Sequence, residues 1–307
     1  MCSHREVNVD IREILPIWQA CFGDSEEDIR RFFEVLGDCT ESYLCREQGQ
    51  AVSMVHVIPA CVWDGRRVYP AAYLYAVGTL PKFRGRGYSS KLVKSVLREL
   101  TRRGIMPFLV PAGEGLVVFY ERLGMELRGT EKVLTGELKE ECWEWADQNG
   151  QSCQVEQKEA GGCSLAEISA REYVELRRRS LRPGEVRLAE TAQEYALELW
   201  RAEGGSIGIL SAGKYRSGVL YELKDGVLTL PEFPRLEAGA LYRAPEGREQ
   251  GLENQENREK QGLQAAMILA GALGAKQIRL HCSHYVMAAA VEGVMLPKEL
   301  WFRLALD

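Results

Sequence analysis

Residues 73–97 read YLYAVGTLPKFRGRGYSSKLVKSVL, and the order of elements in this stretch decides the reading of the whole chain. Tyr73, Tyr75, Val77 and Thr79 alternate with small or apolar residues, the pattern of a strand packed on both faces. Pro81 has no N–H to give to a ladder and ends the strand. Arg84-Gly85-Arg86-Gly87 forms a tight basic turn. A helix starts at 88–90 and carries Leu92, Val93, Val96, Leu97 and Leu100 on one stripe, with Gly104 as its stop. Strand, glycine turn and helix in this order make an anion site. The first N–H groups of a helix have no partner within it, the helix dipole adds partial positive charge, and Gly85 and Gly87 let backbone amides approach with no Cβ in the way. The plainer alternative is a helix start after a glycine turn flanked by two solvated arginines. The turn is neither a P-loop, which needs Gly-Lys-Ser/Thr, nor a dinucleotide fingerprint, which needs Gly-x-Gly-x-x-Gly.

The chain has 307 residues, a length that predicts two domains, and 46% hydrophobic with 27% charged residues is the composition of a globular protein with a sizeable core. The formal net charge of -5 argues against nucleic acid as the main partner. No apolar run reaches the roughly 18 residues of a membrane span, and the N-terminal MCSHREVNVD lacks the apolar core of a secretion signal, so a cytoplasmic protein is expected. The nine cysteines are odd in number and include no Cys-x-x-Cys pair, which fits scattered reduced thiols. His281-Cys282-Ser283-His284 lacks a second ligand pair nearby and reads as a strand-end turn, so no metal is expected.

Upstream of the glycine turn, residues 9–37 form two helices, broken at Cys21-Phe22-Gly23-Asp24, with Asp24 or Ser25 capping the second. Strands follow at 42–47, 51–63 and 66–80, the last two joined by a hairpin turn at Asp64-Gly65. Gly78 inside the last strand suggests a bulge or a close approach by another element. His56 reads as a residue of the sheet. Downstream, 107–111 is a short buried strand, parallel to the one that ends at Leu80. LVVFYERLG is a short helix with Leu116, Phe119, Tyr120 and Leu123 near one face, and 125–138 supplies closing strands. The polar segment 139–163 reads as a linker. Beyond it, helices at 169–181 and 190–202, strands at 206–211, 217–223 and 227–233, a helix at 262–274 and a strand at 277–282 echo the first half. The charged segment 242–262 stands where the glycine turn would be and reads as a loop. An unrelated lid or dimerisation domain is the other reading of this half.

These residues resemble the GNAT superfamily of N-acetyltransferases, whose signature is Arg/Gln-x-x-Gly-x-Gly/Ala between a central strand and a helix. Arg84, Gly87 and Ser89 stand at those positions, with Ser89 replacing the usual Gly or Ala. Phe119-Tyr120-Glu121-Arg122-Leu123-Gly124-Met125 is similar to the family's aromatic-Tyr-x-x-x-Gly-Phe helix end. The resemblance implies an α+β or α/β fold: a GNAT fold with a mixed central sheet over residues 1–138, a linker at 139–163, and a second GNAT-like α/β domain at 164–307 whose phosphate site is lost, as in tandem relatives.

The resemblance also implies the chemistry. Acetyl-CoA is the co-substrate, its pyrophosphate on the amides of Arg84, Gly85, Arg86, Gly87, Tyr88, Ser89 and Ser90. Its pantetheine arm pairs with backbone groups at Val77, Gly78 and Thr79, whose N–H groups stabilise the oxyanion. An amine attacks the acetyl carbonyl directly and Tyr120 protonates the leaving thiolate. For the base, Glu114, a water chain and the carboxylate of Asp307 remain open. A core aromatic is the alternative for Tyr120, and a non-catalytic acyl-CoA sensor or interaction module is the alternative for the protein. An amine substrate, no nucleic acid, no membrane, and a monomer or homodimer complete the expectation.

Overall fold

The computed structural model describes residues 2–6, 9–129, 132–139, 142–147, 152–156, 163–179, 184–212, 215–232, 235–237, 251–283, 286–291 and 300. In chain order the first elements are β1 (Cys2–Glu6), α1 (Ile11–Phe22), α2 (Glu26–Leu36), β2 (Glu41–Glu47), β3 (Gln50–Trp63), β4 (Val68–Thr79), α3 (Tyr88–Arg102), β5 (Met106–Leu109), α4 (Glu114–Glu121) and β6 (Glu126–Gly129). There follow β7 (Lys132–Lys139), β8 (Cys142–Asp147), β9 (Ser152–Glu156), β10 (Cys163–Glu167), α5 (Ala170–Arg179), β11 (Val186–Leu188) and α6 (Glu190–Ala202). The last are β12 (Ser206–Ala212), β13 (Tyr215–Lys224), β14 (Val227–Leu230), β15 (Arg235–Glu237), α7 (Gly251–Leu273), β16 (Gln277–Ser283) and β17 (Val286–Ala288).

The chain folds into two compact units that do not follow its two halves. The first comprises Met1–Thr130, Arg182–Tyr195 and Tyr285–Asp307; the second comprises Glu131–Leu181 and Ala196–His284. The first unit is a sheet in the order β1-β2-β3-β4-β5-β17-β6, with β11 on β3. All its pairs are antiparallel except β4 with β5. The second unit's sheet runs β10-β12-β13-β14-β16-β7-β8-β9, with β15 on β13, and here β14 with β16 is the parallel pair. Each parallel pair is bridged by a helix, α3 in one unit and α7 in the other, so the expected echo between the halves exists at the level of topology.

The order of strands departs from the expected closure of each half. β17, from the far end of the chain, lies between β5 and β6, pairing Met287 with Leu109 and with Leu127. β7, from the first half, pairs antiparallel with β16 in the second unit. Each sheet is therefore completed by a strand from the other half. Residues 139–163, read from their polarity as a linker, instead supply β8, β9 and the start of β10, and β8 pairs with β7 and β9. β11 continues the row that β2 leaves. β2 covers β3 as far as Val57, and β11 takes the same strand at Ala60, Cys61 and Val62. A fourteen-residue strand needs both partners to satisfy its backbone along its length. Part of the charged 242–262 segment, read as a loop, begins helix α7 at Gly251, and residues 238–250 lie outside the described residues.

The first unit's helices form where the sequence signals them. Asp10 caps α1, its side chain accepting from the Arg12 amide, and Gly23 ends α1 in the left-handed conformation at φ 82°. Ser25, not Asp24, caps α2 through the Asp28 amide, and Asp24 instead accepts from Trp18 Nε1 at 2.6 Å. The predicted stripe of α3, Leu92, Val93, Val96, Leu97 and Leu100, is buried in full. Its far end is fixed by Arg103, whose two Nη groups donate to the Glu41 carboxylate at 2.8 and 2.9 Å. In α4, Tyr120 is buried but Leu116 is exposed, so the expected apolar face narrows to its C-terminal end. At Asp225-Gly226 both φ angles are positive, 52° and 78°, as a two-residue primed turn needs. At Asp64-Gly65 the connection is a four-residue loop, because the Asp64 carboxylate accepts from both the Arg66 and Arg67 amides at 2.7 Å.

Strand β4 does contain a bulge, placed one step before the expected glycine. Trp63↔Val68 through His56↔Tyr75 hold one register, and Met54↔Gly78 and Ser53↔Thr79 are shifted by one residue. Val55 thus faces both Ala76 and Val77, and Ala76 takes φ 49°, rare for a residue with a Cβ. Gly78 is needed for the other reason foreseen, close approach. A Cβ there would meet Cys21 Sγ at 3.0 Å, Cys21 Cβ at 3.3 Å and Phe22 Cε2 at 3.4 Å, so glycine lets α1 pack onto β4.

Two substitutions test this packing. Gly78→Ala destabilises the protein by about 1–3 kcal/mol in denaturant unfolding, and adding Cys21→Ala restores part of that loss, because the clash is with the sulfur. Met287 is fully buried, so Met287→Ala costs about 2–5 kcal/mol. Hydrogen exchange in that variant rises in β5 and β6, distant in sequence but adjacent in the sheet.

Candidate functional site

The site forms where two parallel neighbours part. β4 and β5 pair at Ala71↔Met106, Ala72↔Pro107 and Tyr73↔Phe108, with the rings of Tyr73 and Phe108 stacked at 5.2 Å. The register ends there, while β4 runs on to Thr79 paired, among the described residues, with β3 alone. The β5-facing edge of β4 from the bulge to Thr79 is therefore open to an extended, amide-bearing ligand. Some of its acceptors are partly used. Ser53 Oγ donates to the Gly78 carbonyl at 2.8 Å, and the Thr79 carbonyl takes Arg84 Nε at 3.2 Å and Cys21 Sγ at 3.4 Å.

At the end of β4 the chain makes a short 3-10 turn, Pro81–Phe83, and then the glycine turn. Gly85 and Gly87 have φ of 74° and 79°, the left-handed region that glycine reaches without steric cost. Gly87 is the N-cap of α3 and offers no side chain to its first N–H groups, so the helix start presents donors from Tyr88, Ser89 and Ser90 without a competing cap. Arg84 is a strut more than a free charge: its Nε ties the turn back to Thr79. Arg86 lies over the Phe83 ring, 5.3 Å from the centroid, with Lys82 Nζ 5.0 Å from the same ring. Arg86 also forms an ion pair of 3.7 Å with Glu47, a residue with no motif to announce it. These side chains make a basic, amide-lined cradle that fits a phosphate or pyrophosphate.

The other predicted residues lie on α4. Tyr120 is 6% exposed and its ring meets Phe119 edge-on at 5.0 Å. Burial pushes its phenol up to about 12, so it keeps its proton through the neutral range and can act as a donor. Glu114 is exposed in the first turn of α4, where a carboxylate also favours the helix dipole. His56 is fully buried, takes a hydrogen bond with Ser42 Oγ through Nδ1 at 2.9 Å, and stacks on Trp18 at 5.0 Å. Desolvation lowers its imidazole to about 3, so it is neutral and belongs to the core, as read from the sequence. Asp307 lies outside the described residues. No group of three or more His, Cys, Asp or Glu side chains with metal-binding geometry occurs among the described residues, and no described helix is long and apolar enough to cross a membrane.

Ser53, Cys21 and Glu47 were missed because they reach the site from β3, α1 and β2. The only sequence signal for Ser53 was the hairpin register. Counted back from a two-residue Asp64-Gly65 turn it puts Ser53 opposite Ala76; the four-residue loop moves it to Gly78 and the bulge to Thr79.

Residues 7–128 match the family model described as an acetyltransferase (GNAT) domain. The chain is similar in fold to a GCN5-related N-acetyltransferase from Anabaena variabilis, with TM-score 0.66 and 15% identity, covering 93% of this chain and 72% of that one. A probable N-acyltransferase from Enterococcus faecalis gives TM-score 0.67 and 17% identity over 93% and 71% of the two chains. A GCN5-related N-acetyltransferase from Kribbella flavida gives 0.61 and 16% over 93% and 70%. At these identities the likeness is one of fold. The strand, glycine turn and helix described above lie within residues 7–128, the part of the chain that matches the GNAT acetyltransferase domain model.

Proposed function

We propose that the protein transfers an acetyl group from acetyl-CoA to a primary amine by direct attack. The observation that carries this reading is the opened edge of β4 running into an uncapped, glycine-lined helix start. An extended amide-bearing arm followed by a pyrophosphate needs those two surfaces in that order. The pyrophosphate takes the amides of residues 84–90. The pantetheine arm lies along Val77, Gly78 and Thr79, on the edge of β4 that faces β5.

The thioester carbonyl then lies between the parted strands. The unprotonated amine forms the C–N bond, the carbonyl oxygen gains charge, and N–H groups at the bulge stabilise it. Collapse breaks the C–S bond and releases a thiolate, while the nitrogen gives its extra proton to a base or a water chain. Tyr120, kept protonated by burial, donates a hydrogen bond to the departing sulfur. Its high phenol value makes complete transfer to sulfur uphill, so its contribution is to stabilise the thiolate while solvent completes the protonation. Glu114 is exposed, as an entry-side base receiving protons for solvent requires. The second unit shares the topology of the first around its parallel pair, and we read it as a copy without the phosphate cradle.

The non-catalytic sensor reading shares the cradle and differs in turnover. Acetyl-CoA titrated calorimetrically into the full chain binds in the micromolar range. Tyr120→Phe keeps that affinity within about twofold and lowers kcat about 10- to 100-fold in a free-thiol assay with an amine panel. Binding with no thiol release on any amine supports the sensor, and no binding refutes both.

A further inference from the structure

The cradle contains one group of the wrong charge for its ligand. Glu47 ends β2, beside the turn to β3, and its Oε2 stands 3.7 Å from Arg86 Nη1. The same carboxylate lies near the Tyr88 hydroxyl and raises its phenol above the ordinary value, so Glu47 also adjoins the first residue of α3. Oε2 is shielded from water and accepts no hydrogen bond among the described residues; the ion pair with Arg86 is what it has. Arg86 in turn is laid over the Phe83 ring, and Tyr88 meets that ring edge-on at 6.0 Å. Glu47, Arg86, Phe83 and Tyr88 thus form one cluster on the flank of the turn whose amides face the anion.

We propose that Glu47 is a positioning residue that sets cofactor affinity by competing for Arg86. It occupies the guanidinium when the cradle is empty and opposes its full commitment to the phosphates when the cradle is filled. This inference rests on the acyl-CoA reading. The competition has a physical basis: a guanidinium has donors enough for two anions, but a carboxylate within 4 Å of it repels an incoming pyrophosphate and is itself left less satisfied if Arg86 turns away. The consequence is opposite in sign to that of an ordinary supporting contact. Removing the charge of Glu47 should tighten the hold on the cofactor, and slower release of CoA after acyl transfer should accompany it. A residue whose role was only to brace the turn would weaken binding when changed.

The test is calorimetric titration of CoA into the full chain at one fixed ionic strength, for the wild type, Glu47→Gln, Arg86→Gln and the double variant, with Glu47→Ala as a second probe of position 47. Thermal unfolding of each variant establishes that it is folded. The expected result is a dissociation constant about three- to tenfold lower for Glu47→Gln and lower also for Glu47→Ala. It comes with weaker binding by Arg86→Gln and no gain from Glu47→Gln in the Arg86→Gln background. Unchanged or weaker binding by both Glu47 variants overturns the proposal. An equal gain in the Arg86→Gln background also overturns it, because the effect is then general repulsion and not competition for Arg86. Failure of the wild type itself to bind CoA overturns the acyl-CoA reading, and this inference with it, and is recognised by being present before any substitution is made.

Discussion

Everything in the first unit turns on how few residues β4 and β5 share. Parallel strands that stayed paired would seal the edge of β4 with β5's own amides and leave nothing for a ligand. Three register pairs, ending at Tyr73 and Phe108, are enough to fix the helix α3 crossover and then release both strands. Past that point β4 is held from its other side. β3 pairs with it as far as Thr79, Ser53 anchors the Gly78 carbonyl, and Cys21 and Phe22 pack where Gly78 has no Cβ. The opened edge is therefore held from behind by β3, Ser53 and α1. The glycine turn is fixed to the end of that strand by Arg84, so the cradle and the edge are placed as one piece.

The same shortage of pairing partners explains why the two units interleave. β5 has four residues and needs an antiparallel neighbour on its free side. That neighbour is β17, which follows β16 almost directly in the chain, and the strand expected to close the first unit, β7, closes the second unit on β16 instead. The sheet of the first unit is thus incomplete until β17 has been made. This couples the sheet that carries the cradle to residues some 200 positions away in sequence, and it gives the second half a structural role regardless of any ligand of its own.

The strand, turn and helix at 73–97 were legible because they are local. Strand alternation, Pro81, two glycines and a helical stripe are each set by neighbouring residues, and the structure places all of them where the spacing predicts. Two features were readable only in part. The bulge was inferred at Gly78 but falls at Ala76 and Val77, because the glycine is required by α1 packing and not by the strand's own dihedrals. The 64–65 turn was expected to be tight, but the Asp64 side chain captures two amides and widens it. Other features left no trace in the sequence. β11 and β17 have three residues each, too few for a period to show, and their partners lie far away in the chain. Polarity misled at 139–163, since strands near the edge of a sheet carry charged residues as linkers do. Glu47 reads as an ordinary strand-end acid until the fold brings it within 3.7 Å of Arg86.

The central claim is that one ligand spans the open edge of β4 and the start of α3. Backbone hydrogen–deuterium exchange with and without CoA tests it most directly. The account predicts slowed exchange together at residues 76–79 and 85–90, with little change in the second unit. Slowing confined to the second unit, or at 85–90 with none at 76–79, would contradict it.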